Sequence, residues 1–99
     1  MIPYSRQQIT EEDIKAVTDA LKDDILTGGQ KVSKFEEELA KYVGVKHVIV
    51  MNSATSALHV AYLSLGVKAG DEVITTPITF AATANAALMA GAQIKFCDV

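Results

Sequence analysis

The run His47-Val48-Ile49-Val50-Met51-Asn52-Ser53-Ala54-Thr55-Ser56-Ala57-Leu58 decides how this chain is read. Its first five residues form a short, continuous apolar run rich in β-branched side chains, which predicts a buried strand. Residues 54–65 then carry Leu58, Ala61, Tyr62 and Leu65 on one stripe, which predicts a helix closed by Gly66. Small hydroxyl-bearing residues join the two. A strand that hands over to a helix in this way leaves free N–H groups at the helix start, where the dipole also favours an anion, most often a phosphate. A second reading fits the same residues: Ser53 or Thr55 caps the helix and nothing binds.

Downstream the pattern repeats. Ala69-Gly70-Asp71 is a turn, Glu72 to Thr76 a second strand ended by Pro77, and Thr79 to Ala90 an alanine-rich helix closed by Gly91. Gln93 to Cys97 is a third strand. Two βα units followed by a strand predict a parallel sheet with right-handed crossovers, an α/β fold. Because Val99 comes straight after a strand, the sheet reads as cut rather than finished. Upstream, residues 1–9 read as extended. Thr10 opens a helix with Asp13 as its capping-box partner and an apolar stripe through Ile14, Val17, Ala20 and Leu21. Ser33 and Glu36 form an S-x-x-E box that predicts the start of another helix, packed through Phe35, Leu39 and Val43 and stopped by Gly44. The expected division is an arm with helices over 1–46 and the first part of an α/β domain over 47–99.

Composition narrows the classes. The 99 residues suit one small domain, and a core of that size is marginal by itself. The hydrophobic fraction of 49% is high for so short a chain, which points to more surface being covered by further chain or a partner. Nine basic residues are scattered among twelve acidic ones, giving a net charge of −3 and no basic patch for nucleic acid. The single cysteine, Cys97, rules out an internal disulfide and fits a reducing compartment. No signal pattern and no membrane-length apolar run is present, so the expected location is the cytoplasm, with no membrane partner.

Other candidate residues divide between a functional and a plain role. Phe80, in Thr75-Thr76-Pro77-Ile78-Thr79-Phe80, follows the carboxyl end of the second strand, where ligands bind open α/β sheets. Its ring can stack on a flat cofactor or fill the core, and spacing alone favours the core. Tyr4 and the loop Asp24-Ile25-Leu26-Thr27-Gly28-Gly29 can meet a polar ligand, or be an ordered arm and a surface turn. His47 and His59 lack metal spacing. Cys97 reads as a buried structural thiol, Asp71-Glu72 as a solvated turn, and Asp98 equally as a turn or a functional carboxylate.

As an ordered set these stretches resemble the amino-terminal part of the DegT/DnrJ/EryC1/StrS nucleotide-sugar aminotransferases, over essentially the whole chain. The matching residues include Thr27-Gly28, Phe35-Glu36, Gly44-Val45-Lys46-His47, Asn52 to Leu58, Leu65-Gly66, Gly70 to Ile74, Thr76-Pro77, Thr79-Phe80, Ala82 to Asn85 and Gly91-Ala92. Tyr4 to Gln7, Ile25 to Gly29 and Asn52 to His59 look most like the subgroup of pseudaminic acid biosynthesis. The resemblance implies the large domain of a fold type I transferase dependent on pyridoxal 5′-phosphate (PLP). It implies Ala54, Thr55 and Ser56 at the PLP phosphate, Phe80 on the pyridine ring, and Tyr4, Asp24, Ile25, Leu26 and Thr27 at the nucleotide sugar. It further implies L-glutamate as donor, a UDP-linked 4-keto-6-deoxy sugar as acceptor, and a homodimer. The family's Schiff-base lysine matches none of the lysines from Lys15 to Lys95, so the 99 residues alone are expected to be inactive. Three rivals stand beside this reading: a family member acting on another sugar, or as a dehydratase; a non-catalytic α/β binder of a phosphorylated metabolite; and a truncated product with only an interaction role.

Overall fold

A computed structural model describes residues 2–98, divided into two compact units, Met1–Val48 and Ile49–Val99. The first unit holds helices α1 (Glu11–Ala20) and α2 (Gln30–Val43). Thr10 caps α1 as its sequence predicts. Its Oγ1 accepts from the Asp13 N–H at 3.2 Å, and Asp13 Oδ2 accepts from the Thr10 N–H at 2.8 Å. Glu11, Glu12 and Asp13 place negative charge on the first turn, where the dipole favours it.

Helix α2 starts three residues before the expected box. Gly29 occupies the N-cap position with no side-chain cap, and the Val32 N–H already donates to the Gly29 carbonyl. Gln30 and Lys31 are good helix formers, so the helix runs back past Ser33, which lies one turn inside it. At the other end Gly44 is left-handed and the Val45 N–H donates to Ala40 O, the expected stop. Both apolar stripes form but stay open: Val17, Leu21, Phe35 and Val43 are all exposed.

The second unit holds α3 (Ala54–Ser64), β1 (Glu72–Thr75), α4 (Ala82–Met89) and β2 (Gln93–Phe96). β1 and β2 are parallel, with Glu72 opposite Gln93 and Thr75 opposite Phe96. Helix α4 packs on α3 and on both strands. The buried residues are Ala82, Ala86, Ala87 and Ala92, so the core is a close approach of α4 to its neighbours through methyl groups.

Three expectations are corrected here. Residues 47–51 are not a strand: the sheet of the described residues pairs β1 with β2 alone, and the segment straddles the division between the units. β-Branched residues favour a strand, but a strand exists only with a ladder neighbour. The parallel α/β class holds with two strands rather than three. Helix α4 begins at Ala82 rather than Thr79, because Thr76 Oγ1 accepts the Ile78 N–H at 3.2 Å and turns the chain after β1. Cys97 is exposed rather than buried. No helix among the described residues is long and apolar enough to cross a membrane.

Candidate functional site

The amino end of α3 is built by one serine. Ser53 is extended (φ −158°, ψ 155°) and its Oγ accepts from the Ser56 N–H at 3.1 Å. The same oxygen lies 3.0 Å from Ser56 Oγ, and the Ala57 N–H closes the first helical bond to Ser53 O. That leaves the Ala54 and Thr55 N–H groups without an acceptor among the described residues, as helix geometry requires of a first turn. Capping and anion binding are therefore not alternatives here. Ser53 satisfies one donor and two remain, beside the half-buried hydroxyls of Thr55 and Ser56. The first turn of α3 carries no acid, in contrast to the three acids that open α1. An anion at this end meets donors and a positive dipole and no carboxylate on that turn.

Phe80 stands just before α4, five residues beyond the end of β1, and is 79% exposed. Its ring does not fill the core, which small alanines occupy instead. The Phe80 carbonyl accepts from the Thr83 N–H at 3.0 Å, and Thr79 Oγ1 lies 3.0 Å from Thr83 Oγ1, so the backbone under the ring is fixed while its faces are free. Ala54, Thr55 and Ser56 are thus contiguous at one end of α3, and Phe80 stands two residues before α4, the helix that packs on α3.

In the first unit, Tyr4 is fully exposed on the arm and Asp24–Thr27 form an exposed loop between α1 and α2. Most lysines are held in ion pairs: Lys15 and Lys22 with Asp19, Lys31 with Asp23, Lys41 with Glu38, Lys68 with Asp71 and Lys95 with Glu72. The pair of Lys31 with Asp23 escapes any reading of local periodicity. Its only signal in the sequence is a pair of opposite charges flanking a glycine-bearing loop.

The second unit is thus a parallel α/β unit whose helix α3 has N–H donors left over at its amino end and no acid on that turn. The chain belongs to the DegT/DnrJ/EryC1/StrS aminotransferase family, whose model matches residues 7–99. It is 64% identical over all 99 residues to a UDP-4-amino-4,6-dideoxy-N-acetyl-β-L-altrosamine transaminase of Campylobacter jejuni, of which it covers 26%. Among solved structures it is similar to Helicobacter pylori PseC, an aminotransferase involved in pseudaminic acid biosynthesis. That match has 43% identity and a TM-score of 0.92, over 98% of this chain and 27% of the other. A sugar aminotransferase of Streptococcus pneumoniae, described as putative and solved in its PLP form, matches at 35% identity and a TM-score of 0.94. There the match covers 99% of this chain and 25% of the other. The chain spans about a quarter of the length of the curated relatives it matches.

Proposed function

We propose that these residues are the first part of a PLP-dependent sugar aminotransferase. The longer protein would move an amino group from L-glutamate to a UDP-linked 4-keto-6-deoxy sugar of the pseudaminic acid pathway. The observation that carries the proposal is the amino end of α3, where the Ala54 and Thr55 N–H groups have no acceptor among the described residues, two hydroxyl residues follow in sequence, and the turn bears no acid. That donor set fits the phosphate of PLP, and the exposed face of Phe80 fits its flat ring. The 64% identity to a named transaminase supports the sugar, and the match to PseC supports the pathway.

When bound, PLP supplies the electron sink that lets an amino group pass from one carbon to another. The residues present have narrower tasks. Ala54 and Thr55 donate backbone N–H groups to the phosphate, and the Thr55 and Ser56 hydroxyls complete its shell. Phe80 covers one face of the ring and keeps water from it. Tyr4 and the Asp24–Thr27 loop receive the nucleotide sugar, with carboxylate and hydroxyl groups suited to its hydroxyls. The proton-moving lysine lies outside these residues, so binding and orientation are what they contribute. The longer protein acts as a homodimer in this reading.

The test is to incubate the longer protein, with PLP bound, with L-glutamate and the UDP-linked 4-keto-6-deoxy sugar. The expected result is one 2-oxoglutarate formed for each amino sugar. PLP-loaded protein that forms no 2-oxoglutarate with this acceptor would refute the proposed reaction.

A further inference from the structure

The loop between α1 and α2 is closed on itself at two points. At its ends, Asp23 Oδ2 and Lys31 Nζ stand 3.8 Å apart, with side chains 42% and 63% exposed. Within that pair, a Cβ on Gly29 would lie 2.6 Å from the Ile25 carbonyl oxygen, a separation no side chain tolerates. Gly29 is therefore what lets the backbone fold back on Ile25. A cleft of about 270 Å³ opens against the closed loop, lined by Asp23, Asp24, Ile25, Gly29 and Gln30.

Two carboxylates on one small cleft repel each other and repel any anion. A nucleotide sugar brings both hydroxyls, which donate to carboxylates, and a diphosphate, which carboxylates repel. Lys31 offsets one of the two negative charges and ties the start of α2 to Asp23 in the first half of the loop. We propose that Asp23 and Lys31 are a positioning pair that holds the Asp24–Thr27 segment in its receiving shape. Asp23 also lines the cleft, and the role assigned to the pair is to hold the loop rather than to bind. This inference rests on the assignment of Asp24–Thr27 to the nucleotide-sugar site made under Proposed function.

The pair is exposed, so its effect is modest: exposed ion pairs correspond to about two- to fivefold in an equilibrium. The experiment uses the longer protein with PLP bound. KM for the UDP-linked 4-keto-6-deoxy sugar, kcat and the cofactor absorbance are measured for Lys31→Met, Asp23→Asn and the charge-swapped double variant D23K/K31D. Each single change is expected to raise KM by about two- to fivefold while kcat and absorbance stay put, and the swap to bring KM back within about twofold. Single variants with unchanged KM, or a swap no better than the singles, would overturn the pair. Asp24→Asn and Thr27→Val separate the two levels of the argument. If these leave KM unchanged, the loop is not a substrate site and the pair falls with it; if they raise KM while Lys31→Met does not, the pair alone falls.

Discussion

At the residue scale, the donors at Ala54–Ser56 are fixed by local chemistry. A small hydroxyl residue before a helical stripe caps the helix, and the helix must then leave N–H groups over. This is why the sequence locates the start of α3 to within a residue. The exposure of Phe80 was not legible, because burial depends on what else packs around it, and alanines took the core that spacing alone assigned to the ring. Removing one hydroxyl from the proposed phosphate shell loses a hydrogen bond to a charged group, about 1.5–3 kcal/mol. Thr55→Ala is therefore expected to weaken PLP binding by at least about tenfold, read by absorbance titration of the longer protein. Helicity of the variant should match the parent, since Ser53 and not Thr55 caps α3.

At the scale of the element, the start of α1 is legible in the sequence and that of α2 is not. Thr10 and Asp13 cap α1 reciprocally, as a pair three residues apart in sequence can. Ser33 and Glu36 carry the same pattern, yet α2 starts earlier because Gly29 ends the preceding loop with a tight backbone approach that the pattern does not encode. The segment 47–51 shows the opposite failure: its strand propensity is plain, but pairing is a tertiary property. Thr10→Ala is expected to cost about 0.5–1 kcal/mol of stability, measured by urea unfolding. The Thr10 backbone N–H, and then its hydroxyl, hold the Asp13 carboxyl below its ordinary 3.8. A depressed carboxyl contributes stability above its unfolded pKa and loses it as pH falls through the folded value. Helicity followed by circular dichroism from pH 6 to pH 2 should therefore drop at the acid end, and Asp13→Asn should flatten that drop. Gly91 has φ +95° and a Cβ there would stand 3.0 Å from the Ala69 N atom. Gly91→Ala is expected to lower the unfolding midpoint, for both the strained φ and the crowding.

At the scale of the whole molecule, the chain buries little. Among the described residues the buried hydrophobic ones are alanines, and Val17, Leu21, Ile74 and Phe96 are all exposed. The composition points the same way, with a hydrophobic fraction of 49% in a chain of only 99 residues. What the composition could not say is which faces stay open. Open apolar stripes on α1 and α2, and a two-stranded parallel sheet, are marginal without cover. The 99 residues expressed alone are expected to unfold over a broad range and to bind a hydrophobic dye strongly in native buffer. A sharp calorimetric transition with no dye binding would contradict this.

The central claim is that the amino end of α3 takes the phosphate of PLP while Phe80 takes its ring. The measurement that meets it most directly compares PLP with pyridoxal, which lacks the phosphate, for binding to the longer protein and to its Thr55→Ala and Phe80→Ala variants. PLP should bind the parent far more tightly than pyridoxal. Thr55→Ala should narrow that gap, and Phe80→Ala should weaken both ligands alike. Equal affinity for the two ligands in the parent, or a gap untouched by Thr55→Ala, would contradict the claim.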